Sequence, residues 1–332
     1  VHDFDIILWA ATPPLLLLTY YYYRVPTAPL LFKLLLLFFL GAISGFIALN
    51  LELVFETVAN QVVDWQRWQQ CLPTSHCVST LPSITLRQLV AIGPIEEGCK
   101  LVTVVAAICY YQRKYQVRSS TVFLFTIAVA LGFTAQENWV YLFYNTASII
   151  DRSIGTPVHA MFSAPWGYAL AMSIGFGHRL RGNHILIFSA WVNSVICHAL
   201  VNVLSSAWRY RVPVSFLSYG LFPLLLWMFW RMEQLLCRVQ GQSPIKLISG
   251  YTISQRYWQR GLVLFVLMLG GNAIFGLFLL ARLLSPLRWW QLFYPDVLRF
   301  TLSRLLINLM FAVVAWLIYR YLRSSARRGQ KI

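Results

Sequence analysis

Glu96 and Glu97 stand side by side inside an apolar run, with Lys100 one helical turn further on. On a helix these spacings of four and three residues let one ammonium reach either carboxylate. Two adjacent carboxylates in a low-dielectric setting do not both ionise freely, and a neighbouring ammonium favours the charged form. A single Glu–Lys pair would be a structural lock between helices. Two carboxylates and one lysine leave an acid unmatched, which favours chemistry. Pro94, just before the pair, removes a backbone donor and loosens the preceding turn.

Later apolar runs carry more polar groups. They are Glu137 with Asn138, His159 after Thr156 and Pro157, and His198 with Asn202 one turn beyond it. Each alone is equally consistent with an interhelical hydrogen bond. As a set they suit water activation, with a Glu as general base and a polarising group for the oxyanion. Two histidines and a carboxylate also form a catalytic zinc set with an open fourth position. Buried Glu, His and Lys serve proton-coupled transporters as well, so the residue types leave a carrier open.

The elements that must position these groups are membrane helices. Of 332 residues, 58% are hydrophobic and 11% charged, and the mean hydropathy is +0.62. Soluble domains run near roughly one quarter charged. Nine runs approach the ~20 apolar residues of a span. They are Ile6–Tyr22, Leu34–Leu51, Leu89–Tyr111, Thr121–Tyr144, Val158–Phe176, Ile185–Ser205, Val214–Met232, Leu262–Ala281 and Leu302–Leu322. The runs are too long and too uniform for barrel strands. The expected fold is an all-α, polytopic transmembrane bundle of about nine spans.

The 27 Lys+Arg against 11 Asp+Glu give a formal +16. In a soluble chain that excess would suggest nucleic acid. Here it sits between the apolar runs and reads as membrane orientation, with no nucleic-acid partner. Basic loops near Arg24, Arg113, Arg179 and Arg238 and the tail from Arg323 fall on alternate sides. This predicts the N-terminus outside and the C-terminus inside. Arg209, Arg211, Arg282, Arg288 and Arg299 run against the pattern. Asp3 and Asp5 precede the first run, where a signal peptide would carry basic residues. Cys71 and Cys77 share a polar outer loop and form either a small disulfide ring or two free thiols.

The chain divides into residues 1–83 (two spans and the cysteine loop), 84–206 (a four-span catalytic core) and 207–332 (C-terminal spans, a basic cytosolic connection and a tail). The connection Arg231 to Arg260, with Leu235, Leu236 and Val239, reads as a cytosolic surface helix or a solvated loop. At 1.5 Å per residue, the depths from the outer helix ends are ~10–15 Å for Glu96, ~10 Å for Glu137 and His198, and ~3–5 Å for His159. Helices of alternating direction thus bring four polar residues to one level. That predicts a single polar cavity open to the outside, lined by spans three to six.

The ordered set Glu96-Glu97-x-x-Lys100, Phe133-x-x-x-Glu137-Asn138, His159 through Gly167, and His198-x-x-x-Asn202 resembles the motifs of the PrsW family of intramembrane proteases. That family is similar to the CAAX-type prenyl-protein and bacteriocin-immunity membrane proteases. The resemblance covers roughly residues 89–205. It implies an endopeptidase of the bacterial cell membrane that cuts single-span, membrane-anchored substrates of the anti-sigma-factor type on the extracytoplasmic side. It further implies catalytic roles for Glu96 or Glu97, with Glu96 the expected base, and for Glu137, His159 and His198. Lys100, Asn138 and Asn202 would support them. In one version zinc is held by His159, His198 and Glu137. In the other, a Glu-activated water acts without metal. A transporter and an inactive relative are the alternatives.

Overall fold

The computed structural model describes residues 3–62, 80–114, 116–175, 184–208, 210, 214–243, 247–250 and 252–329. Among them every regular element is helical. The eleven α-helices are α1 (Asp3–Arg24), α2 (Leu31–Val62), α3 (Thr80–Arg87), α4 (Gly93–Gln112), α5 (Ser119–Phe143), α6 (Ile149–Gly155), α7 (Val158–Gly175), α8 (His184–Ala207), α9 (Leu221–Val239), α10 (Ile253–Leu284) and α11 (Pro295–Gly329). Each of the nine apolar runs falls on one of the nine longer helices. By length and composition, six of these can cross a membrane: α2, α5, α8, α9 with its leading 3-10 turn, α10 and α11. The chain is a multi-pass membrane protein. The other three, α1, α4 and α7, have 22, 20 and 18 residues, and α4 carries the Glu96, Glu97 and Lys100 triad.

Helix α5 is the hub, with 89% of its most apolar window buried against 11% for α10 and α11. Phe123, Phe125, Ile127 and Leu131 of α5 pack with Leu34 and Leu37 of α2 and Trp166 of α7. Lipid offers no hydrophobic drive between helices, so close approach depends on small residues. Gly41 of α2 lies on the backbone of Val129, and Gly132 of α5 lies on the backbone of Phe38. A methyl group at either position would overlap a carbonyl oxygen. Gly132→Leu must therefore separate the two helices, and a loss of at least ~1–3 kcal/mol is expected. Thermal melting of the purified variant checks it; an unchanged midpoint would contradict the close crossing.

Several elements run beyond their apolar windows because polar caps extend them. Helix α2 continues past Leu51 to Val62, carrying Glu52 and Glu56, and Glu56 pairs with Arg87. Helix α10 starts nine residues before Leu262, where Thr252 and Gln255 form a capping box. Helix α11 opens on Pro295 and Asp296, a favourable N-terminal pair.

Neither reading of Arg231 to Arg260, a surface helix or a solvated loop, describes how this segment starts. Instead α9 runs to Val239, and its Leu235 and Leu236 are buried in the main core. Gly241, at φ 71°, then closes the helix with Gly241 N–H on the Arg238 carbonyl and Gln242 N–H on that of Cys237, a Schellman stop. Glu233 of α9 accepts from Tyr21 (3.0 Å) and Arg24 (2.8 Å) of α1. Cys71 and Cys77 lie outside the described residues. Cys99, Cys109, Cys197 and Cys237 are free thiols, and Cys109 faces outward.

Candidate active site

Pro94 shapes the first part of the site. It has no N–H to give the carbonyl one turn back, and the ladder widens there into a π-turn, Gln88–Ile92. Gly93 N–H then bonds the Gln88 carbonyl. Gly93 also lets α4 lie against Val195 of α8. From this start α4 turns Glu96, Glu97 and Lys100 inward, and all three are buried.

Lys100 is fully enclosed. Its Nζ donates to Glu97 Oε1 at 2.8 Å and Glu96 Oε2 at 3.3 Å. It lies 3.0 Å from His159 Nδ1 and 4.0 Å above the centre of the Phe133 ring. The other oxygen of Glu97, Oε2, accepts from Ser163 Oγ at 3.0 Å and Trp166 Nε1 at 2.9 Å. Glu97 therefore has its charge matched and both oxygens engaged. Glu96 has only the longer lysine contact, and 11% of its side chain is open.

The two histidines face Glu96 from different helices. His159 Nδ1 is 3.7 Å and His198 Nε2 is 3.8 Å from Glu96 Oε2. These separations are too long for direct hydrogen bonds. His198 stacks on Phe162 with centroids 4.5 Å apart and planes 15° apart. Its Nδ1 is buried without a hydrogen-bond partner, 3.7 Å from Glu97 Oε1.

The outer edge is built by a turn. Helix α5 stops at Asn145, whose φ is 52°. Asn145 N–H bonds the Leu142 carbonyl and Thr146 N–H that of Tyr141, again a Schellman stop. Ser148 and Asp151 then form a capping box that starts α6. Its Arg152 turns back over α5, donating to Glu137 Oε2 at 2.8 Å and Asn138 Oδ1 at 2.7 Å. Glu137 Oε2 is also 2.6 Å from His159 Nε2. Asn138 Nδ2 donates to the Ala10 carbonyl of α1 at 3.3 Å.

These contacts fix a tautomer. An ammonium only donates, so His159 Nδ1 accepts from Lys100 and the ring proton sits on Nε2, donating to Glu137. Glu96, Glu97, Lys100, Glu137, His159 and His198 thus form one connected cluster, with Asn138 at its edge. Asn202 is not in it; its Nδ2 donates to Gln88 Oε1 at 2.9 Å, which ties α8 to the π-turn. Arg152 belongs to the cluster without having been singled out from sequence, while Phe162 and Trp166 lie in the stretch from His159 to Gly167. A cavity of about 250 Å³ lies between α7, α8 and α9, bordered by Met161, Tyr168, Asn193 and Arg231.

A family model for PrsW family intramembrane metalloproteases matches residues 31–228. The chain belongs to this family. No curated protein and no solved structure matches it. As a PrsW family member it is a peptide hydrolase of the membrane. The match runs from the start of α2 into α9 and contains every residue of the cluster.

The metal named by the PrsW description can be tested against the donors. Among the described residues no three ligand side chains are already drawn together to hold an ion. Glu137 pairs with Arg152 and with the Nε2 side of His159, while His198 pairs with Glu96 and Glu97 instead. Glu137 and His198 therefore do not share a face. Glu96 Oε2 lies 3.7 Å from His159 Nδ1 and 3.8 Å from His198 Nε2, but the Lys100 ammonium stands 3.0 Å from that Nδ1 and 3.3 Å from that Oε2. The one lone pair of Nδ1 is taken by Lys100, so as arranged these three donors do not fit an ion.

Proposed function

We propose that this chain hydrolyses peptide bonds of single-span, membrane-anchored proteins, of the anti-sigma-factor type, near the extracytoplasmic face of a bacterial cell membrane. The observation that carries it is Glu96, which has only the longer Lys100 contact of the cluster's carboxylates and stands between two imidazoles. Nine spans with the N-terminus outside agree with the basic residues Arg113, Lys114 and Arg118 after α4 and Arg238 in the last turn of α9.

In this reading water lies against Glu96 Oε2, between His159 and His198. Glu96 takes its proton as the water oxygen attacks the scissile carbonyl. An N–H of His198, its ring held flat on Phe162, faces the oxyanion that forms. Glu96 then passes the proton to the amide nitrogen as the C–N bond breaks. Lys100 donates to both carboxylates, and Ser163 and Trp166 keep Glu97 turned away from the water.

The test is metal content together with cleavage of a fluorogenic single-span peptide, for wild type and His198→Ala. Loss of cleavage in the variant is expected; about one zinc per chain, lost together with activity, would mean that Lys100 leaves His159 Nδ1 when an ion binds. Activity without bound metal, insensitive to chelators, would leave Glu96 acting on water alone. Normal cleavage by His198→Ala would overturn the assignment of the site.

A further inference from the structure

We propose that Arg152 is a positioning residue for His159, acting through Glu137. The inference rests on the peptidase reading and adds to it a group from outside the four motifs.

Helix α6 has seven residues and buries none of them. Packing therefore gives little reason for its place. It is held by its capping box and by the reach of Arg152 across to α5. The guanidinium spans two acceptors at once, Nε on Asn138 and Nη2 on Glu137. It also lies over the Tyr141 ring, 4.5 Å from its centre. A planar fork on two acceptors fixes both side chains in a way that an ammonium, a single rotating donor, does not.

Glu137 is the link. Its Oε2 takes the Arg152 bond and the His159 bond together, and 22% of its side chain is open. Without Arg152 the carboxylate can swing toward water, because that oxygen then keeps only the bond to His159, the ring it is to orient. His159 would then lose the acceptor that keeps its proton on Nε2 and its Nδ1 turned toward Glu96 and Lys100. A histidine at a reactive centre is commonly oriented this way, by a carboxylate on its far nitrogen. Here the carboxylate is itself clamped, and the clamp comes from outside the spans.

The experiment uses full-length protein in liposomes with a fluorogenic single-span peptide. Arg152→Gln is expected to lower kcat about 10–100-fold, with KM within about twofold of wild type. Arg152→Lys should recover part of the rate. In a Glu137→Gln background, Arg152→Gln should add less than about a further twofold, because both changes break the same link. Ring ¹⁵N shifts of His159 in detergent should show the Nε2–H form in wild type and a mixture of tautomers in Arg152→Gln. A melting curve separates these effects from unfolding. Full activity in Arg152→Gln, independent effects in the double variant, or an unchanged His159 tautomer would each overturn the inference. Glu96→Gln is the control. If wild type and Glu96→Gln cleave alike, the peptidase site itself is wrong. If only Arg152→Gln behaves as wild type, this inference alone falls.

Discussion

Glu96→Gln leaves a folded protein that no longer cleaves. The amide cannot take a proton from water, and losing a general base costs about 10²–10⁴-fold in rate. Stability should hold, because Glu96 gives the fold little. Its one short polar contact is Lys100 at 3.3 Å, and Lys100 keeps its tighter partner, Glu97, at 2.8 Å. Removing a buried charge that lacks its own counter-charge is neutral or mildly stabilising, within ~1 kcal/mol. Turnover of a fluorogenic peptide and a melting curve decide it together. Retained turnover would remove Glu96 from the chemistry. Unfolding would make it a structural residue.

Lys100→Met has the opposite signature. It removes the cation held against Glu97 in a site from which water is shut out, since both side chains are 0% exposed. Breaking a buried ion pair from one side costs roughly 3–5 kcal/mol, a large share of the stability of most proteins. Loss of activity, poor yield and early melting are expected together. Lys100→Arg should rescue poorly, because the ammonium sits 4.0 Å above Phe133 with no slack for a wider head. The informative companion is Lys100→Met with Glu97→Gln, which removes both charges and should regain much of the lost stability. If Lys100→Met melts like wild type, the ion pair within α4 is not what stabilises the buried cluster.

The sequence carried the cluster's membership well and its wiring poorly. Shared depth was legible because the rise of a helix is constant, so residue counts from the span ends brought Glu96, Glu137 and His198 to one level. Rotation about each helix axis was not legible. It is set where small residues meet other helices, as at Gly132 on Phe38 or Gly167 on Thr126, and local pattern does not encode which helix lies opposite. Hence nothing in the sequence told that Glu137 faces Nε2 of His159 while Glu96 faces its Nδ1. Asn202, one turn from His198, points instead to Gln88. Arg152 had no signal beyond its charge, since a turn residue reaches the site only through the cap geometry at Asn145 and Ser148. The ends of α2, α10 and α11 were set too short because a hydropathy window stops where polar residues begin, while the hydrogen-bond ladder continues to the cap.

The pair α10 and α11 has a mechanical consequence. At 32 and 35 residues these helices are each about 50 Å long, well beyond the roughly 30 Å hydrocarbon layer. They must tilt, or their ends must stand out of it. They pack on each other, where Gly276 meets Asn308, and reach the rest of the chain chiefly along α9, where Gly271 meets Pro223. A bilayer that thickens or thins therefore works on a fin with one seam. Changes of tilt are taken up along α9, while the tightly packed bundle around α5 carries the reactive groups at a depth of its own.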